Sequence, residues 1–371
     1  MGTAVQSVRL ELAALLEQLE QFAGTADEQG APQKEALAAL RQSGLLGSLV
    51  PVDYGGLGET SLFASRFIES VASVDPSIAI IAFQHLSVVS RILEWGTEAQ
   101  RQQYLPKLAD GRWLAASAWS ETGAGANKQN LSTKAVQLDE GHWLIEGTKS
   151  FTTGAGLADI YLVLVQTGAN DEKSTYGNSS QTFFLIETSQ GITANADTNL
   201  AGMRGSSTGF IHLNKCLVSS EQFIGSLGGA PDVINGIRQC GLTLGAVSLG
   251  ISQAAYELAL NHVCSKGLKS SPLLQSALSD LHLNLEAVRA LVDKVAAKEG
   301  GEHLAKIAYQ SKIFASEASE KICREAQQII GGSSYVRGRK LERLLRDARA
   351  VSLMGPVNRL AKEIIGKELV S

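Results

Sequence analysis

Residues Ala326–Asn358 read AQQIIGGSSYVRGRKLERLLRDARAVSLMGPVN. The stretch has three parts. It begins as the end of an apolar helix, closed by Gly331-Gly332. A short basic and acidic helix, Leu341–Arg349, follows. The break Gly355-Pro356 then opens a last helix running toward Leu369. Two glycines after a helix permit positive φ and bring the backbone close to a ligand or another chain. A lone Gly-Gly is most simply a helix C-cap, so the surrounding residues have to decide its meaning.

Gln328-x-x-Gly331-Gly332, the aromatic Tyr335, and Glu342-Arg343-x-x-Arg346-Asp347-Ala348-Arg349 together form a long pattern. It resembles the C-terminal signature of the acyl-CoA dehydrogenase family. The resemblance implies an α+β chain: an N-terminal α-helical domain (1–113), a middle β-barrel-like domain (114–228) and a C-terminal four-helix bundle (229–371).

Composition agrees with an ordinary globular protein. The chain has 371 residues, 44% hydrophobic and 19% charged, enough for a sizeable core. A net charge of −4 without a basic tail argues against nucleic acid. The four cysteines (Cys216, Cys240, Cys264, Cys323) and six histidines are scattered, with no metal-ligand spacing and no disulfide framework. The start of the chain lacks the pattern of a signal peptide. The most apolar window, Ile78–Leu93, contains Gln84, His85 and Arg91 and reads as too short to cross a bilayer. A cytoplasmic enzyme without a membrane span is the expectation.

Along the chain, Val8, Leu12, Leu15, Leu16, Leu19 and Phe22 recur at helical spacing, and Ala31–Ser43 continues the pattern to a stop at Gly44. Val50–Gly58 is a loop, and helices are expected over 60–73, 76–95 and 97–109. The pattern then changes. Trp143–Glu146, Ile160–Val165, Thr182–Ile186 and Phe210–Leu213 are short β-branched and aromatic runs. Gly168–Ser180 reads as a mobile polar surface loop. From Val233 the periodicity is helical again: one long helix to Cys264, then 272–298 and 302–330. Small residues at Gly241, Gly245, Ala246 and Gly250 leave room for a neighbouring helix.

The candidate chemistry follows from the resemblance. Ala118–Asn127 (AWSETGAGAN) and Gly147–Gly154 (GTKSFTTG) match the two flavin-contact segments of the family. Read alone, the first is a polar turn and the second a strand with alternating core positions. By resemblance, Trp119, Ser120, Gly125, Ala126, Phe151 and Thr153 would face FAD. Gln328, Gly331 and Gly332 would reach the adenosine-diphosphate half of a neighbouring subunit's FAD, since bare backbone amides approach phosphate. That implies a homodimer or homotetramer. Arg238 matches an arginine near the acyl thioester; read alone, it is an interhelical salt bridge. Leu200–Thr208 (LAGMRGSST) reads as a turn without a catalytic role.

The implied reaction is α,β-dehydrogenation of an acyl thioester of CoA or a carrier protein, with hydride passing to flavin N5. An electron-transfer flavoprotein or oxygen would accept the electrons. The reaction requires a base for the weakly acidic α-proton. The two positions where the family places that glutamate are Gly355 and Ile237. Neither takes a proton, so the catalytic residue is unassigned. Glu121, Glu342, Asp347, Glu363 (roughly 12 Å along a helix from Gly355) and the Tyr335 hydroxyl are the substitutes to weigh. Lys266 and Lys269 stand where the family has an arginine on the cofactor pyrophosphate. A flavin oxidase or monooxygenase, or a silent acyl- or flavin-binding homologue, are the alternatives.

Overall fold

A computed structural model describes residues 2–168, 177–178 and 180–370. The polar segment 168–180 therefore falls largely outside the described residues.

The chain opens with α1 (Gly2–Gln29), α2 (Lys34–Gln42), α3 (Ser61–Val74), α4 (Pro76–Trp95) and α5 (Glu98–Ala109). Their boundaries follow local chemistry. Gly44 stops α2 with φ 70°. Asp75 accepts from the amides of Ser77 and Ile78 to start α4, with Pro76 in its first turn. Thr97 and Gln100 form a reciprocal capping box on α5. The length argument against a membrane span fails: α4 has 20 residues of mean hydropathy 1.4 in its best window, long and apolar enough to cross a bilayer. Here 83% of that window is buried, as the central helix of the core.

Eight strands follow: β1 (Ala115–Ala118), β2 (Lys134–Gln137), β3 (His142–Thr152), β4 (Ile160–Gln166), β5 (Gln181–Glu187), β6 (Ile192–Asn195), β7 (Gly209–Ser219) and β8 (Phe223–Ile224). They form one mixed sheet in the order β6-β7-β3-β2-β4-β5-β8, with β1 parallel beside β4. The expected runs fall inside β3, β4, β5 and β7. β3 and β7 are 11 residues each, not short. β1, β2, β6 and β8 had no run to announce them. At two to four residues they are held by pairing with longer neighbours rather than by their own pattern.

The last region holds α6 (Ala230–Ile237), α7 (Gly245–Ser265), α8 (Pro272–Ala296), α9 (Leu304–Ile330), α10 (Lys340–Leu353) and α11 (Asn358–Val370). The single helix expected over Val233–Cys264 is two helices. The chain breaks at 238–244, where Gly241 takes φ 87° and a Cβ would sit 2.5 Å from Ser61 Oγ. Gly250 lets α3 approach α7: a Cβ there would meet Glu69 O at 2.2 Å. The segment expected as Leu341–Arg349 extends to Leu353 as α10.

The first and last helical regions share one core. Leu15, Leu40 and Phe67 belong to the same apolar cluster as Val247, Leu285 and Ala348. A second cluster joins α4 and α5 to one face of the sheet through Val88, Tyr104, Leu162 and Phe183. The sheet is thereby set at a fixed distance from the bundle, and the site lies in the gap.

Candidate active site

That gap is a cavity of about 820 Å³, lined by the middle of α4, by parts of α6, α9 and α10, the loop after β1, β3, and residues 200–208 and 354–357. Its size is that of a small-molecule or cofactor cleft.

The sheet-side wall is built by two segments locked together. Ser150 N donates to Ser120 O at 2.8 Å, tying the loop after β1 to β3. Behind the loop, Glu121 and Lys149 form a buried ion pair, Nζ to Oε1 2.6 Å. Glu121 also accepts from Ser132 Oγ at 2.6 Å and Thr133 N at 3.1 Å. Burial works against its charge, but Lys149 and these donors outweigh it and hold the carboxyl well below the usual range. The loop then runs through Gly123 and Gly125, both at positive φ (94° and 77°). A register shift between Lys149 and Thr152 bulges β3 at Ser150-Phe151. Phe151, at φ 53°, is thrown onto the cavity wall and left 65% exposed. Thr153, Thr208 and Ser206 form a hydroxyl chain beside it, at 3.1 and 2.8 Å.

The bundle-side wall differs. Arg238 sits at the C-terminal end of α6, donating to Asn235 Oδ1 at 3.0 Å, with its guanidinium 4.2 Å above the Tyr309 ring. Tyr309 is buried, and its hydroxyl has no hydrogen-bond partner among the described residues. One turn along α9, Lys312 donates to Met354 O (3.1 Å), Pro356 O (3.0 Å) and Asn358 Oδ1 (2.7 Å). These contacts pin the loop that carries Gly355. Burial pulls its pKa down to about 7, with Glu317 a weaker opposing influence.

Trp119, Ser120, Gly125, Ala126, Phe151, Thr153 and Arg238 all line this cavity, as do Ile237 and Gly355. Gln328, Gly331 and Gly332 do not. They are exposed where α9 ends, with Gly331 at φ 80° and open space where either Cβ would be. Lys266 and Lys269 are exposed in the turn between α7 and α8. Met203, Ser206 and Thr208 line the cavity although LAGMRGSST had read as a plain turn, and Tyr309 and Lys312 carried no sequence signal. Their pairing arises only when α9 packs beside residues 354–358.

The substitutes for a base are all accounted for. Glu121 is the one carboxylate in the described lining, and Lys149 holds it. Glu342 pairs with Arg346 at 2.6 Å. Asp347 is buried away from the cavity, accepts from Met203 N, and is pushed up to about 7 by burial. Glu363 is exposed and paired with Lys367, and Tyr335 is 79% exposed outside the lining.

The residues present suit a flavin ring. Trp119 Nε1 is buried without a partner among the described residues, the wall offers neutral donors and bare glycine backbone, and Phe151 presents an exposed aromatic ring. Comparison with known proteins gives the class. The N-terminal, middle and C-terminal domains of acyl-CoA dehydrogenase match residues 6–112, 116–216 and 228–370. The chain belongs to the acyl-CoA dehydrogenase family, a family of flavoproteins, and is an enzyme of that type. It is 30% identical to a probable acyl-CoA dehydrogenase of Mycobacterium leprae, over 98% of this chain and 94% of that one. It is also 30% identical to the isobutyryl-CoA dehydrogenase of Dictyostelium discoideum, over 98% and 88%. The butyryl-CoA dehydrogenase structure from Megasphaera elsdenii superimposes with TM-score 0.88 and 27% identity, covering 99% and 97%.

Proposed function

We propose that the chain is an FAD-dependent oxidoreductase acting on an acyl thioester of CoA or a carrier protein, in the cytoplasm, as a homodimer or homotetramer. The observation that carries this reading is the sheet-side wall: two separate segments, locked by Ser150–Ser120 and Glu121–Lys149, present Trp119, Phe151 and Thr153 to one cavity. A bound flavin supplies the hydride acceptor. Trp119 Nε1 and the hydroxyls of Ser120 and Thr153 would hold its polar edge, and Phe151 its face. Arg238 would orient the thioester. Gln328, Gly331 and Gly332, open and exposed, would serve the diphosphate of a neighbouring subunit's FAD.

The proton is the open part of the chemistry. Gly355 and Ile237 hold none, and Lys312 spends its donors on the 354–358 loop. A positioned base contributes typically 10²–10⁴-fold, so the first half-reaction with a simple acyl thioester is expected to be slow. The same observation favours a second reading, a flavin oxidase or monooxygenase acting on a substrate that loses no α-proton, with oxygen taking the electrons from the reduced flavin. Titration of the purified protein with FAD and with FMN tests the cofactor assignment. Tight FAD binding that weakens in Gly331→Val, with FMN binding unmoved, supports it. Equal affinity for both, insensitive to Gly331, contradicts it.

A further inference from the structure

We infer that Arg346 and Asp347 of α10 are positioning residues for the flavin: they seat residues 200–208 on the helix, and that segment carries the hydroxyls that set Thr153. The inference rests on the flavin reading above and adds residues that the reading does not use.

Residues 200–208 span the gap between the two walls, with Leu200, Met203, Ser206 and Thr208 in the cavity lining. The segment makes one tight turn, Arg204–Ser206. Two non-glycine residues in the left-handed region flank it, Met203 at φ 50° and Ser207 at φ 48°. Backbone of this kind persists only where its surroundings over-determine it.

The bundle supplies the constraint on one side. Asp347 accepts from Met203 N, and Arg346 Nη1 donates to Ala201 O at 2.9 Å. Between these bonds Gly202 lies flat on the helix: a Cβ there would meet Arg346 O at 2.3 Å. Arg346 is itself held by both carboxylate oxygens of Asp27, at 2.8 and 2.6 Å. Arg204 Nε donates to Asp27 O at 2.6 Å, so α1 braces the turn as well. β3 receives the other end. Gly154 N donates to Ser206 O at 3.1 Å and Ala155 N to Ser207 O at 2.8 Å. The hydroxyls of Ser206, Thr208 and Thr153 follow one another at 2.8 and 3.1 Å. Thr208 thus occupies part of the hydrogen-bonding capacity of Thr153, and the remainder is left for the flavin edge. Met203 is 2% exposed, so without Asp347 its amide would be buried and unpaired. The turn would then shift, and Thr153 with it.

Fluorescence titration with FAD, after thermal unfolding has shown each variant to be folded, reads the seat directly. Asp347→Ala should weaken FAD binding about tenfold, the scale of one lost hydrogen bond, and shift the absorption band of the bound flavin. Asp347→Asn keeps an acceptor oxygen and should restore affinity to within about threefold of the unmodified protein. Thr208→Val cuts the hydroxyl chain, and in that background Asp347→Ala should cost less than about threefold, because both changes act on one path. Gly202→Ala lifts the segment off α10 without altering a charge. It should reproduce the loss, and it stands in for Asp347→Ala should that variant fail to fold. An undiminished loss in the Thr208→Val background, or unweakened FAD binding by the displaced-segment variants, overturns the inference and leaves the flavin reading intact. No FAD binding by the unmodified protein overturns both.

Discussion

The two walls of the cavity make their site in different ways. On the sheet side, the working surface is mostly backbone and small side chains, fixed from behind by a buried ion pair and a strand bulge. On the bundle side, it is made of individual side chains, Arg238, Tyr309 and Lys312, brought together by helix packing. The first kind of wall can hold the same flat group through many changes of facing residue. The second changes its chemistry with each substitution. In this molecule the second wall also holds Gly355 and Ile237, neither of which can take a proton.

The sharpest way to break the contrast is to unlock the sheet-side wall. Glu121→Gln leaves Lys149 buried without its counter-charge, which typically costs about 3–5 kcal/mol. Denaturant unfolding should show a loss of that size, and adding Lys149→Met should recover a large part of it. A loss below about 1 kcal/mol would mean that the pair does not fix the wall.

Next in size is restoration of a base. Gly355→Glu, at an exposed position of the pinned loop, should speed anaerobic flavin reduction by a simple acyl thioester at least about 10²-fold. An unchanged rate, with folding and flavin content intact, would show that the bundle-side wall differs by more than its base.

Lys312 links that wall to pH. Its folded pKa, about 7, lies below the ordinary 10.5. Between these values the unfolded chain holds the proton and the folded chain does not, so stability rises with pH through that window. Removing Lys312 should flatten the rise by up to about 1.4 kcal/mol per pH unit. Comparing Lys312→Met with the unmodified protein between pH 7 and 10 cancels the other titrating groups. Parallel curves would refute the assignment.

The smallest effect belongs outside both walls. Glu363 is 57% exposed on its side chain and pairs with Lys367. Glu363→Gln should leave the denaturant midpoint and the flavin reduction rate unchanged. A large fall in rate would make it the missing base after all.

What could be read from the sequence divides along the same line. The sheet-side segments were legible as a polar turn (Ala118–Asn127) and a strand (Gly147–Gly154) from their own residues, and as cavity wall only through the family resemblance. The order of helical region, sheet and bundle was legible from periodicity. The break at 238–244 was not. The apolar pattern runs straight through it, and the left-handed Gly241 is forced by Ser61 and α3 packing from far away in sequence. Tyr309 and Lys312 were invisible for a related reason. Each sits on a long helix at ordinary spacing, and its meaning comes from Arg238 and residues 354–358, some 42 to 71 positions away.

The most direct test is a visible absorption spectrum of the purified protein with added FAD, recorded before and after anaerobic addition of a butyryl thioester. An intact sheet-side wall predicts a bound-flavin band that bleaches slowly with the butyryl thioester and faster after Gly355→Glu. A protein that shows no bound flavin even in excess FAD would contradict the account, because the wall that the chain has kept would then hold nothing.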